Sequence, residues 1–138
     1  MVPEHECISS LNFDDTLCDC HIQRPTLFEL NGQHFFLSST NVVFQLLSHV
    51  CFAATQFKEA DGSITLSADT LDIVSHGSNI REAKALFAKD VMEYAEEYYR
   101  NFDTYRQSPN RKDHLPYVIK SLCADSLKQL EESIICHF

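Results

Sequence analysis

The stretch that decides the fold is SNIREAKALFAKDVMEYAEEYYRN, residues 78–101. Its apolar residues recur in steps of three or four, the spacing that places side chains on one face of a helix. The residues on that face are Ile80, Ala83, Phe87, Val91, Tyr94 and Tyr98. Asn79, followed three residues later by Glu82, forms the pattern of a capping box at the start of the helix. Because no Gly or Pro interrupts the run, the sequence predicts one helix of about 22 residues, along which the other elements pack.

Two stretches before this helix have the pattern of β-hairpins. In residues 25–38, the Asn-Gly pair at 31–32 separates two apolar runs, which is the strongest short signal for a hairpin with a type I′ turn. Further on, the Asp-Gly pair at 61–62 separates ATQFKEA from SITLSA, and residues 70–75 are predicted to form a third strand. The connections are short, so we expect the strands to pair antiparallel.

Two shorter helices are predicted outside this sheet. After the first hairpin, Ser39 and its neighbours can cap a helix, and apolar residues at helical spacing predict a short buried helix over about 40–51, with Cys51 in the core. Near the C-terminus, Ser126 and Gln129 have the spacing of a capping box and predict a last helix within 125–136.

Together these elements predict an α+β fold in a chain of 138 residues. We divide it into three parts. Residues 1–24 are acidic with sparse apolar positions and are expected to be weakly ordered. Residues 25–51 form a hairpin–helix unit. Residues 52–138 form an antiparallel β-β-β-α unit with C-terminal helices.

Composition limits the classes of function. The formal net charge is −9, which disfavours non-specific binding to nucleic acid through a basic surface. A basic protein partner fits better because opposite charge steers encounter; the alternative is a charge that serves solubility alone. No apolar run approaches the roughly 18 residues of a membrane span, and the start of the chain has no basic n-region, so we expect a cytoplasmic protein.

No group of residues predicts catalysis, a cofactor or a metal ion. Cys, His and Asp occur without a spacing that sets a nucleophile against a base, and the common hydrolase, zinc and phosphate-binding motifs do not occur. His114 beside Asp113 fits a helix cap better than an acid–base pair. Cys18, Cys20 and His21 cluster, but a gap of one residue between the cysteines is too tight for the usual zinc pattern. A metal site at the start of the chain is therefore the weaker interpretation.

Segments of the chain resemble known antitoxins. The run PTLFELNGQHFFLSSTNVVFQLL, residues 25–47, resembles the hairpin and helix of Phd/YefM antitoxins. The run LDIVSHG, followed by NIREAKALFAKDVMEYAEEYY, resembles the join of sheet and helix in the HicB-like antitoxin fold. The segment that includes SPNRKDHLPYV is similar to Phd-like antitoxins of RelE/RelB-type toxin–antitoxin systems. The resemblance covers about residues 25–122.

The resemblance implies an antitoxin that forms a homodimer, binds a RelE-like toxin and represses its own operon through operator DNA. Because toxins of that type tend to be basic, we expect toxin contacts on the acidic face of the long helix, at Glu93, Glu96 and Glu97. The runner-up is a small ligand-binding or metal-binding protein that uses the cysteine-rich start.

Dimer and operator contacts are expected elsewhere. Dimer packing is assigned to Leu86, Phe87, Tyr94 and Tyr98. For the aromatic residues that end the helix, Tyr94, Tyr98, Tyr99 and Phe102, the alternatives are burial in the core and contact with a toxin. The chain departs from the Phd pattern in its N-terminal region, which is basic and contacts DNA in that family but is acidic here. Operator contacts are therefore assigned to the one basic cluster: Arg106, Arg111 and Lys112. In the alternative, these arginines pair with Asp103 and Asp113.

Overall fold

The structure of the chain is a computed structural model that describes residues 24–138. The strands are β1 (Thr26–Leu30), β2 (Gln33–Leu37), β3 (Phe52–Lys58), β4 (Ile64–Ala68), β5 (Val74–Gly77) and β6 (Ile134–His137). The α-helices are α1 (Thr40–Leu46), α2 (Ile80–Arg100), α3 (Phe102–Tyr105), α4 (Leu115–Leu122) and α5 (Leu127–Glu132), and a 3₁₀ turn spans Lys112–His114. The predicted α+β class is confirmed. Of the predicted weakly ordered segment 1–24, all but Arg24 lies outside the described residues.

The first hairpin has the predicted turn. Strands β1 and β2 pair antiparallel in a two-stranded sheet, and the turn residues Asn31 and Gly32 have φ of 53° and 79°. Positive φ at both positions is what a type I′ turn requires, and Asn and Gly adopt it most readily.

The helix after the hairpin differs from the prediction. It begins at the predicted cap, where the hydroxyl of Ser39 accepts from the N–H of Val42 at 3.2 Å, but it ends at Leu46 and none of its residues is buried. The predicted buried helix over 40–51 is therefore wrong in length and in burial. Cys51 is exposed because the chain has left the helix by then and enters β3.

The main sheet has four strands in the order β5-β4-β3-β6. Strands β3, β4 and β5 pair antiparallel as predicted, but β6 lies parallel to β3, so the sheet is mixed. The predicted last helix begins at its cap Ser126 yet ends at Glu132. The next residue but one, Ile134, pairs with Phe52 and is 5% exposed, so burial against a distant strand overrides the local helical pattern.

The third strand is also displaced from its predicted position. It begins at Val74 instead of residue 70. A bend over 69–72 buries Leu71 at 4% exposure and is closed by the N–H of Ala68, which donates to the carbonyl of Ile73 at 2.8 Å. The apolar residues read as strand thus belong to a turn that packs into the core.

Helix α2 is confirmed as the organising element. Asn79 caps it, and the carboxylate of Glu82 accepts from the N–H of Ser78 at 3.0 Å. The first part of its buried face, Ala83, Phe87, Ala88 and Val91, packs on the sheet, whereas Ala95 and Tyr98 pack against Val118 of α4. At the join, a Cβ on Gly77 would lie 2.4 Å from the backbone nitrogen of Ala83. Only glycine permits so close an approach of strand and helix.

Helices α4 and α5 pack beside α2, and α4 also contacts α1. From α4, the Nζ of Lys120 donates to the carbonyl of Val50 at 2.8 Å and lies 5.0 Å from the ring centroid of Phe44. The lysine is 5% exposed, and this burial lowers the pKa of its amine. Across residues 24–138, no helix is both long and apolar enough to cross a membrane.

Candidate interaction surface

The candidate residues gather around the C-terminal half of α2. The helix ends where the side chain of Asn101 donates to the carbonyl of Glu97 at 2.9 Å. The chain then turns through α3 and a polar connection, residues 106–114, before α4 returns along α2. Proline at position 116 fits the first turn of α4 because its missing N–H would have no intrahelical partner there. Two features result at the C-terminal half of α2: an aromatic network on one side and an apolar groove on the other.

The aromatic network holds the polar connection against α2. The hydroxyl of Tyr98 donates to the carbonyl of Arg111 at 3.1 Å, and the hydroxyl of Tyr94 lies 2.7 Å from Nδ1 of His114. The guanidinium carbon of Arg111 lies 4.2 Å from the ring centroid of Tyr105. His114 occupies the N-cap position of α4, as predicted, but its buried side chain makes no capping hydrogen bond and lies against Tyr94 instead. Burial raises the pKa of Tyr94 and of Tyr98 above the usual 10.0.

Beside this network lies a small cleft of about 130 Å³. Its lining residues are Asp72, Ile73, Tyr94, Glu97, Arg111 and His114. Within the described part of the chain, the Nη1 atom of Arg111 is buried without a hydrogen-bond partner and lies 3.9 Å from the carboxylate of Glu97. Lining groups of both charges leave no clear preference for a ligand of either sign.

The three basic residues predicted to contact DNA do not form one open patch. Nε of Arg106 lies 3.3 Å from the carboxylate of Asp103, the pairing that the sequence offered as the alternative. Arg111 is held by aromatic rings and pairs with Glu97 instead of Asp113. Lys112 is exposed and forms no ion pair with another described residue. The structure thus leaves Lys112 the most open of the three.

The three acidic residues predicted to contact a toxin are all exposed, but they face different partners. Glu97 accepts a hydrogen bond from the hydroxyl of Tyr105 at 3.1 Å and belongs to the aromatic network. Glu93 lies 4.0 Å from Nζ of Lys89, a distance at which two exposed groups gain little. Glu96 pairs with no described cation. Glu93 and Glu96 therefore offer the more open carboxylates.

Two of the four residues assigned to a dimer contact are unavailable for one. Phe87 and Tyr98 are 1% and 0% exposed within a single protomer, so the alternative interpretation, burial in the core, describes them. Tyr94 is partly buried, and Leu86 is exposed. Larger apolar exposure occurs on the first hairpin, a feature that the sequence analysis missed.

A second missed feature is an apolar groove between the end of α2, α3 and α4. Its volume is about 310 Å³, and its lining residues are Tyr99, Phe102, Leu115, Val118, Ile119, Leu122 and Cys123. Tyr99 stands beside the buried stripe of α2 and is 67% exposed. Leu115, Ile119 and Leu122 recur at helical spacing in α4, which was the available signal that this helix has an apolar face toward α2.

No group of three or more His, Cys, Asp or Glu side chains suited to a metal ion occurs in residues 24–138. Cys18, Cys20 and His21 lie outside the described residues, so the prediction that they hold no metal stays a prediction.

Comparisons with known proteins agree with the resemblance. Residues 18–136 match the model of a protein family described as "PHD_like: Antitoxin of toxin-antitoxin, RelE / RelB, TA system". Among solved structures, the chain is similar to the antitoxin part of a proposed toxin/antitoxin system from Syntrophomonas wolfei subsp. wolfei. The TM-score is 0.74, the identity is 24%, and the match covers 94% of each chain. At that identity the likeness shows a shared fold. No curated protein matches.

Proposed function

Because the chain belongs to the Phd-like antitoxin family of RelE/RelB toxin–antitoxin systems, we propose that it binds and neutralises a RelE-like toxin in the bacterial cytoplasm. The observation that carries this proposal is the family match over residues 18–136, nearly the whole chain. An antitoxin of this family is a binding protein and not an enzyme, so its function depends on the surface that it offers to the toxin.

Charge supports a basic partner. The net charge of −9 steers a basic protein toward this chain and slows the approach of nucleic acid. On α2, Glu93 and Glu96 offer carboxylates that are exposed and weakly engaged, whereas Glu97 is already held by Tyr105 and Arg111. Toxin contacts are therefore proposed at Glu93 and Glu96, with Glu97 positioning the polar connection.

Co-expression tests the function directly. A RelE-like toxin, sought first as a small basic protein encoded beside this gene, is induced in a bacterial host with and without this chain, and growth is measured. We expect growth arrest with the toxin alone, full recovery with both, and co-purification of the two proteins in one complex. Failure to restore growth and to form a complex would contradict the proposal and favour a ligand-binding function instead.

We further propose that an antitoxin dimer holds operator DNA weakly through the basic residues of the polar connection. Each phosphate contact that is lost should lower the slope of log affinity against log salt by about one. The variant Lys112→Ala, alone and with Arg106→Ala, is compared with Lys128→Ala on α5, whose side chain is 79% exposed and lies outside this cluster. Unchanged salt dependence in the cluster variants, together with loss of DNA binding on removal of residues 1–24, would assign the operator contacts to the N-terminal segment.

A further inference from the structure

The apolar groove between α2, α3 and α4 exposes apolar side chains to water, which is unfavourable. Val118 forms its floor at 3% exposure, while Tyr99, Phe102 and Ile119 rise beside it at 67%, 40% and 39%. None of the lining residues carries a charge, and the polar atoms at hand are the Tyr99 hydroxyl and the Cys123 thiol. Burial raises the pKa of that thiol, so it remains neutral and behaves as an apolar group. A contiguous apolar surface of this kind on a small protein commonly marks a site of protein contact.

Carboxylates flank the most exposed wall of the groove. On α2, Glu96 precedes Tyr99 by three residues, which places the two side chains next to each other on the helix surface. Asp103 follows four residues after Tyr99, and its side chain is 88% exposed. The cation nearest the ring of Phe102 is Arg106, which is already paired with Asp103. An occupant therefore meets an apolar floor with the carboxylate of Glu96 beside the Tyr99 wall and the Asp103–Arg106 ion pair beside Phe102.

These observations select a basic protein over a second copy of this chain. A second copy brings the same Glu96 carboxylate to the groove that it meets, and like charges repel. A basic partner is instead attracted by the Glu96 carboxylate beside the groove. The groove is smaller than a whole interface, which commonly buries about 800 Å² on each partner, so it would act as the central anchor within a wider polar contact.

We propose that this groove receives an apolar ridge of the RelE-like toxin, flanked by Lys or Arg side chains that meet Glu96. The inference rests on the proposed function and specifies the surface that performs it. Tyr99 and Ile119 are the anchors, because exposed aromatic and aliphatic side chains around a preformed apolar floor contribute most to binding at such sites. The row of Glu93 and Glu96 extends the same contact along α2.

Binding of the adjacent toxin to purified variants tests the groove. Tyr99→Ala and Ile119→Glu should each lower the affinity about tenfold or more, since the first removes an anchor and the second places a carboxylate in the apolar groove. The matched control is Leu127→Glu, an aliphatic residue on α5 that is 46% exposed and lies outside the groove. Glu96→Lys should weaken binding more than Glu132→Lys, which changes the net charge equally. Thermal unfolding verifies that each variant is folded. If Ile119→Glu does not fold, Tyr99→Ala still tests the groove.

The outcomes separate the groove from the function itself. If the wild-type chain binds the toxin and both groove variants bind it equally well, the groove proposal is wrong and the antitoxin function stands. If the wild-type chain does not bind the toxin, the proposed function fails and the groove assignment fails with it. If the groove variants lose self-association while toxin binding is unchanged, the groove is a contact between copies of this chain, which overturns the proposal.

Discussion

At the scale of single residues, Arg111 shows how a surface cation becomes structural. Its guanidinium lies over the ring of Tyr105 and within 5.6 Å of the ring centroid of Tyr94, and its backbone carbonyl accepts from Tyr98. The rings offer their negative faces to the cation, and the side chain in turn shields them from water. Arg111 thereby fastens the polar connection to α2.

Replacing this arginine should therefore affect stability more than replacing its neighbour. Arg111→Ala is expected to lower the free energy of unfolding by about 1–2 kcal/mol, because it removes contacts with two rings and with Glu97. Lys112→Ala should change it by less than about 0.5 kcal/mol, since that side chain is exposed. Urea unfolding of both variants measures the difference, and equal effects would contradict the structural role of Arg111.

A second residue-scale prediction concerns His137. Its Nε2 lies 2.7 Å from the carboxylate of Asp69, which also accepts from the hydroxyl of Thr55 at 2.9 Å. The hydrogen bond with Asp69 raises the pKa of His137 above its usual 6.5, and the hydrogen bond with His137 lowers the pKa of Asp69 below 3.8. Protonated His137 thus ties β6 to the bend after β4. That contribution is present between about pH 3.8 and pH 6.5; it is lost as the pH rises through the raised pKa of His137 and as the pH falls through the lowered pKa of Asp69.

The variant Asp69→Asn removes the ion pair between His137 and Asp69, so comparing it with the wild type measures the contribution of that pair to stability. The stability difference between wild type and Asp69→Asn should be larger near about pH 6 than near about pH 8.5, because His137 is charged at the lower pH. A titration of the His137 ring by NMR should show its pKa falling toward the usual value in the variant. A pKa that does not move would show that Asp69 leaves the histidine unaffected.

At the scale of elements, the join of β5 and α2 depends on backbone approach more than on side-chain packing. Gly77 ends the strand three residues before α2 begins, and a Cβ there would also lie 2.8 Å from the Cα of Ala83. Backbone atoms cannot move aside as a flexible side chain can, so the strand and the first turn of α2 would have to separate.

Gly77→Ala should therefore destabilise the fold by at least about 2 kcal/mol. Gly62→Ala serves as the comparison. Gly62 has φ of 90°, and nothing would lie within 4 Å of an added Cβ, so that change introduces backbone strain alone, about 1 kcal/mol. Thermal unfolding of the two variants distinguishes a steric clash from strain. An equal loss in both would show that the join can relax.

At the scale of the whole molecule, the first hairpin leaves large apolar side chains exposed among the residues that the structure describes. Leu27 and Phe36 are directly opposite each other on β1 and β2, and they are 76% and 59% exposed. An isolated two-stranded hairpin is marginally stable in water, so this unit gains from further cover. The homodimer prediction therefore rests on the exposed apolar residues of the hairpin and no longer on the apolar stripe of α2.

The homodimer prediction can now be tested there. The wild-type chain should be a dimer at micromolar concentration by light scattering, and the double variant Leu27→Ser, Phe36→Ser should shift it to monomer because it removes exposed apolar surface. Leu127→Ser, a comparable loss on α5, should leave the dimer intact. A wild-type monomer throughout that range would rule the dimer out.

Local patterns in the sequence by themselves determined the first hairpin, the antiparallel β3-β4-β5 order, α2 and its caps, because turn residues, alternation and helical periodicity act over a few neighbouring residues. The resemblance carried by residues 25–122 likewise pointed to the antitoxin family. Tertiary structure alone decided what depends on distant partners. Strand β6 forms because Ile134 is buried beside Phe52, and α1 has no fully buried residue because it packs only partly, against α4. The groove forms where α4 folds back on α2. The sequence could not predict it, because periodicity assigns a residue to a face of a helix but does not say what covers that face.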